Sequence, residues 1–182
     1  MRQQRIHRLA TVFGVLAALL AWATPDGTAR GQLVGGGSPP VLSISDDIGS
    51  FTLTFSNFLQ GSVSSTQEVA YRIQANNMMT GSVQGVVSAR LQQTFSGIDL
   101  EVDVTAYQNL GVPSSANLQE SVAGRQVVNT TGVSLANKTP GNGNNDKVVD
   151  GNLGILWQAR LTGNVIAGSR TTGLVVTLKD GN

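Results

Sequence analysis

The sequence predicts an all-β fold, an antiparallel β-sandwich. From Val41 onward, apolar and polar residues alternate with a period of two, which is the pattern of strands with one buried face. Turn-forming pairs such as Asn76-Asn77 and Asp150-Gly151 separate these runs. No convincing helical run lies between them, which disfavours a parallel α/β sheet. A closed barrel would show the same alternation and is the second interpretation.

Six alternating runs carry this prediction. Their apolar positions fall within residues 51–55, 69–75, 87–91, 98–104, 155–161 and 174–178. The usual spacing of strands in such folds predicts about eight strands in all. Residues 114–128 fit a short helix or another strand equally well.

The first 23 residues have the three-part pattern of a secretory signal peptide. A basic start with three arginines precedes an apolar run from Leu9 to Trp22, and Ala21-Trp22-Ala23 offers the small residues that signal peptidase requires. The apolar run is about 14 residues long, whereas a membrane span needs about 20, so cleavage is favoured over a retained anchor. Ala23 is the predicted cleavage site, and Ala29 is the alternative.

The rest of the chain divides into a linker and one domain. Residues 24–40 (TPDGTARGQLVGGGSPP) have no apolar periodicity and are predicted to be a flexible linker. Residues 41–182 are predicted to form the β-sandwich domain. We expect the mature protein to be secreted, extracellular or on the cell surface, with no membrane span after signal cleavage.

The mature chain lacks the side chains that most often do chemistry. It has no cysteine, and its single histidine, His7, lies in the signal segment. The commonest general base, the best zinc ligands and the thiolate nucleophile are therefore missing, and we expect neither enzymatic activity nor a cofactor. Three of the 12 basic residues also leave with the signal, so nine remain against 11 acidic residues. The remaining basic residues are scattered, which disfavours nucleic acid binding.

The end of the chain resembles the final hairpin of pilin-like bacterial surface proteins. Residues 167–178 (AGSRTTGLVVTL) place a Gly-led turn before a Thr/Val-rich last strand, as in fimbrial subunits and relatives of spore coat protein U. The strand that ends in Asn76-Asn77 is also similar to an early strand of their sandwiches. The resemblance covers roughly Val41 to Asp180 and implies an immunoglobulin-like sandwich.

Three carboxylates share one face of a predicted strand. Asp99, Glu101 and Asp103 alternate with apolar residues, and neighbours two apart on a strand lie about 6.8 Å from each other. That separation is near the range of the paired carboxylates of glycoside hydrolysis, and grouped carboxylates also bind calcium. The alternation alone explains them as the solvated outer face of the strand, which is the favoured interpretation.

The Asn-rich loop at residues 141–146 (GNGNND) is a second candidate site. Its oxygen atoms, including those of Asp146, suit calcium, as do those of Asp150 beyond it. The loop lacks the ordered acidic spacing of a helix–loop–helix calcium site. Asn, Asp and Gly are the usual turn formers, so an ordinary loop is the favoured interpretation.

Three aromatic residues are candidates for a sugar-stacking surface. Tyr71 and Trp157 fall on the apolar phase of their strands, which indicates core packing. Tyr107 lies where a strand gives way to a loop and is the better candidate for exposure.

Two classes of function follow from these observations. The preferred one is a non-catalytic structural subunit of an extracellular surface, fimbrial or matrix assembly. It would self-associate, or join other surface proteins, by burying an edge strand or an apolar patch. The alternative is a carbohydrate- or calcium-binding adhesion module that uses Tyr107, the acidic strand or the Asn-rich loop. A hydrolytic enzyme that uses Glu101 and Asp103 ranks third.

Overall fold

The computed structural model describes residues 42–180 throughout and, before them, only the backbone of Gln4–Arg5 and Leu19–Ala23. The predicted linker and most of the predicted signal peptide lie outside the described residues.

The described residues form thirteen strands and one short helix. The strands are β1 (Gln4–Arg5), β2 (Leu19–Ala23), β3 (Leu42–Asp46), β4 (Ser50–Thr54), β5 (Gln67–Ala75), β6 (Val83–Leu91), β7 (Ile98–Asn109), β8 (Asn117–Glu120), β9 (Gln126–Val128), β10 (Val133–Thr139), β11 (Val149–Leu161), β12 (Ser169–Thr171) and β13 (Leu174–Leu178). The helix is a 3-10 helix at Gly143–Lys147. No helix with the length and apolar character of a membrane span occurs in the part of the chain that the structure describes.

The strands pair into three sheets. Two are five-stranded, with the orders β1-β13-β6-β10-β8 and β3-β5-β11-β7-β9, and the third has the order β12-β2-β4. The strands of the five-stranded sheets all pair antiparallel, and β12–β2 is the one parallel pair among the described strands. The predicted all-β, antiparallel, sandwich-like fold is therefore confirmed.

Alternation along the strands builds a shared core. On β11, the alternate residues Leu153, Ile155 and Trp157 are fully buried, and they belong to one apolar cluster to which both five-stranded sheets contribute. The ring of Trp157 stacks on Phe51 of β4 with 6.1 Å between the ring centroids. The apolar faces that the period-two pattern predicts are thus the faces that meet.

All six predicted runs are strands, but the molecule has more strands than those runs indicate. Residues 114–128, which fit either a helix or a strand, contain the two short strands β8 and β9. Strands of three or four residues contain too few positions to show a period, so the sequence does not reveal them.

Candidate functional site

β2 joins two strands that have no other partner strand among the described elements. It runs antiparallel to β4, with Leu19 opposite Thr54 and Ala23 opposite Ser50. It also runs parallel to β12, with Leu19 opposite Ser169. We call the space between β4 and β12 the slot. A single five-residue segment therefore pairs with the backbones of both walls of the slot.

A second N-terminal strand covers another edge. β1 pairs with β13, placing Gln4 opposite Leu178 and Arg5 opposite Thr177. β13 is buried along all five of its residues. The N-terminal segment thus completes one five-stranded sheet as well as the slot.

The β4 wall of the slot is anchored without help from β2. The Thr54 amide donates to the Ser65 hydroxyl at 3.0 Å, and the Ser65 amide donates to the Thr54 carbonyl at 2.8 Å. The side chains of Phe51 and Leu53 are buried in the core, on the opposite side from the half-buried Thr52. We therefore expect β4 to keep its position when β2 is absent.

The β12 wall is anchored in the same way. The Gln93 side chain donates to the Thr171 carbonyl at 2.9 Å. The Thr172 hydroxyl accepts from the Gln93 amide at 3.2 Å and donates to the Gln93 carbonyl at 2.9 Å. These bonds hold the end of β12 against the segment that follows β6.

The two loops that continue from the slot walls touch each other and expose apolar side chains. The Gln60 side chain donates to the Thr162 carbonyl at 3.0 Å, which joins the loop after β4 to the loop that leads to β12. Leu59 is 73% exposed on the first loop, and Ile166 is 84% exposed on the second. Val63, further along the first loop, is 40% exposed. Large exposed apolar side chains are typical of contact regions between proteins.

The acidic strand is an ion-pair site. Asp99, Glu101 and Asp103 share one face of β7, as predicted, but Glu101 is only 8% exposed. Its carboxylate accepts from Arg160 Nε at 2.5 Å and lies 3.7 Å from Arg125. The hydrogen bond to Glu101 raises the pKa of Arg160. The solvated-face interpretation therefore does not describe Glu101, whose charge is matched by two arginines.

The Asn-rich loop is held by Asp146. The carboxylate of Asp146 accepts from Lys138 Nζ at 2.8 Å and from the amides of Gly81 at 2.5 Å and Gly141 at 2.9 Å. The hydrogen bond from Lys138 is the largest cause that lowers the pKa of Asp146 to about 2. Lys138 is completely buried and also donates to the Gly81 carbonyl at 2.7 Å. The carboxylate of Asp146 is thus already paired with a buried ammonium.

Asp150, the other loop candidate, is also paired with a cation. Its carboxylate contacts the guanidinium of Arg72, which donates in turn to the Gly151 carbonyl at 2.9 Å. Within residues 42–180, no three Asp or Glu side chains lie close enough together to hold a metal ion. The five acidic candidates, Asp99, Glu101, Asp103, Asp146 and Asp150, are therefore not brought together into one site.

The aromatic candidates do not form an open platform. Tyr71 and Trp157 are buried at 4% and 0% exposure, which confirms the prediction of core packing. Tyr107 is half-buried against the core, and its hydroxyl is buried without a hydrogen-bond partner among the described residues. Burial is the main cause that raises the pKa of Tyr107 to about 12, and the nearby charge of Asp150 adds to it.

A comparison of the chain with protein families, curated proteins and solved structures found no match.

Proposed function

We propose that the chain is a non-catalytic structural subunit of an extracellular surface, fimbrial or matrix assembly, built on an immunoglobulin-like sandwich. One observation carries the proposal. β2 fills the slot, yet it lies within the segment predicted to be a cleavable signal peptide. Cleavage after Ala23 would remove β1 and β2 together. The mature protein would then present β4 and β12 without a partner strand and one open edge of β13.

Open edges of this kind favour association with another chain. An unpaired strand edge presents a row of amide and carbonyl groups that another strand can satisfy. Each backbone hydrogen bond formed contributes about 1 kcal/mol net. The slot offers two such edges at once, and burial of Leu59 and Ile166 would add an apolar contribution.

The replacement strand is the N-terminal arm, residues 24–41, of a neighbouring copy. Within this arm, Arg30–Val34 (RGQLV) matches the five-residue length of β2, contains no proline and carries the apolar pair Leu33 and Val34. Cleavage after Ala23 frees the end of this arm. A subunit that receives an arm and donates its own forms a head-to-tail contact, which gives rings or filaments.

The experiment compares assembly of residues 24–182 with that of two double variants. Arg170→Pro with Thr171→Pro removes two amide donors from β12, whichever of them faces the slot. Arg170→Ala with Thr171→Ala is the matched control, because it shortens the same side chains and keeps both amides. Light scattering after size exclusion, with negative-stain microscopy, measures the assembled state.

We expect the parent chain and the alanine variant to form regular oligomers or filaments, and the proline variant to stay monomeric. A parent chain that is monomeric at every concentration contradicts the proposal. Assembly of the proline variant to the same extent as the parent would show that the slot is not the contact.

A further inference from the structure

The loops of the domain divide between the two ends of β11, which has 13 residues and is therefore about 43 Å long. Three loops lie at the end of β11 where Leu161 stands: residues 55–66, 92–97 and 162–168. The Gly61 amide donates to the Leu161 carbonyl at 2.7 Å, and the Thr162 amide donates to the Gly97 carbonyl at 2.9 Å. These bonds join the three loops into one surface, which we call the loop end.

The loop end is uncharged and has protruding apolar side chains. None of its three loops contains Asp, Glu, Lys or Arg. Leu59 and Ile166, which belong to two of these loops, are the two most exposed large apolar side chains in residues 42–180. An apolar partner can cover such a surface without taking any charge out of water.

The slot opens at this same end of the domain. β4 ends at Thr54, where the loop with Leu59 begins, and β12 begins directly after the loop with Ile166. The Gln93 side chain, which belongs to the third loop, donates to the Thr171 carbonyl of β12. A neighbouring copy whose arm fills the slot therefore lies against the loop end.

The N-terminal arm joins the domain at the opposite end of β11. Leu42, the first residue of β3, pairs with Ala75 of β5. Ala75 pairs in turn with Val149, the first residue of β11. Residues 24–41 therefore enter the domain beside Val149, at what we call the arm end. A copy that donates its arm to a slot brings its arm end towards the loop end of the copy that receives it.

The arm end also exposes apolar side chains. Three large ones are about half exposed there: Met79, Leu110 and Val112. The Leu110 amide donates to the Asp150 carbonyl at 2.8 Å, which places the loop after β7 beside the start of β11. The Met78 amide donates to the Lys147 carbonyl at 3.1 Å, which places the loop after β5 there as well.

We propose that copies of this chain stack end to end, with Leu59 and Ile166 of one copy packed against Leu110 and Val112 of the next. This inference rests on the proposed function, because it names the surface that the arm-donating copy presents to the loop end. The two surfaces are different, so the contact is head-to-tail and repeats from copy to copy. Stacking along β11 spaces neighbouring copies about 50 Å apart, whereas side-by-side packing of five-stranded sheets would space them about 24 Å apart.

The test places charges at the two ends of residues 24–182. Ile166→Asp and Val112→Lys each add one charge to an exposed position. A chain with both changes brings opposite charges together at every contact, and Ile166→Asp with Val112→Asp is its matched like-charge control. Val122→Asp is the control for a charge elsewhere, because Val122 is an exposed valine in the loop between β8 and β9. Light scattering at low salt gives the concentration of half-assembly, and negative-stain microscopy gives the spacing of copies.

We expect Ile166→Asp and Val112→Lys each to raise the concentration of half-assembly about tenfold, because burial of an aliphatic side chain is lost. The opposite-charge chain should assemble more readily than either single variant, and the like-charge chain less readily. Val122→Asp should assemble as the parent does. Copies should be spaced about 50 Å apart.

The end-to-end contact is overturned, and strand addition at the slot is not, if both single variants assemble as the parent does while the double proline variant in β12 stays monomeric. It is also overturned if the opposite-charge and like-charge chains assemble equally, or if copies are spaced about 24 Å apart. A parent chain that is monomeric at every concentration overturns this contact and the proposed function together.

Discussion

At the scale of single residues, buried charges are matched inside the chain. Lys138 lies fully buried against Asp146, in a region where the sequence suggests either an ordinary loop or calcium binding. The pKa of Asp146 in the folded chain, about 2, lies below its ordinary value of 3.8. The stability that this carboxylate contributes is thus complete at neutral pH and is lost as the pH falls from about 4 through about 2.

Asp146→Asn should lower the free energy of unfolding by about 3 kcal/mol, because it leaves the buried Lys138 ammonium without a counter-charge. The matched control is Asp103→Asn, which changes a half-buried carboxylate that makes no ion pair with a described residue. Urea denaturation at pH 7 measures both variants. Equal stability of the two variants would contradict the role given to the Lys138–Asp146 pair.

The burial of the Tyr107 hydroxyl predicts that it ionises only at strongly alkaline pH. The chain has two tyrosines, so a Tyr71→Phe variant carries Tyr107 alone. Its phenolate absorbance should appear with a midpoint near pH 12, because burial disfavours the charged form. Because folding raises the pKa of Tyr107, the neutral hydroxyl contributes to the free energy of unfolding up to about pH 10. That contribution is lost as the pH rises towards 12. A midpoint near 10 while circular dichroism still shows folded protein would mean that the hydroxyl is not buried.

At the scale of elements, the sequence predicts the long strands but not the short strands β2 and β12. β5, β7 and β11 have nine or more residues each, and apolar residues recur at alternate positions over much of each strand, so their positions follow from period-two patterning. β12 has three residues and no such pattern. Leu19–Ala23 belongs to an apolar run with no alternation, so the sequence indicates a signal peptide and gives no indication of pairing with β4.

In the candidate site, too, the sequence predicts the position of residues along a strand but not their contacts with other strands and loops. The shared face of Asp99, Glu101 and Asp103 follows from strand geometry, but the pairing of Glu101 with Arg160 depends on the register between β7 and β11. Lys138 reaches Asp146 because β10 and the 3-10 helix end near each other, and no local spacing rule predicts that approach. Contacts that depend on register and loop paths are therefore outside what one sequence can predict.

At the scale of the whole molecule, the proposed assembly depends on the slot. Both of its walls are tied to the main sheets by hydrogen bonds to Ser65 and Gln93, and its filling strand comes from a segment predicted to be removed. The chain has no cysteine, so stability depends on core packing and strand pairing without disulfides. In the proposed function, another chain would satisfy the edges that removal of this segment opens.

Because the chain has no cysteine, introduced cysteines can form disulfides only with each other, which allows a direct test of the slot. One population of residues 24–182 carries Thr52→Cys on the β4 wall, and a second carries a single cysteine at each position of Arg30–Val34 in turn. Mild oxidation of the mixture, followed by mass spectrometry, measures disulfides between the two populations. An Asn144→Cys population replaces the Thr52→Cys population as the control.

If the arm of one copy lies in the slot of another, disulfides to Thr52→Cys should form at alternate arm positions, because successive side chains of a strand point to opposite faces. The control should form few disulfides at any position. No disulfides to Thr52→Cys, or equal yields at all five arm positions, would contradict strand addition at the slot.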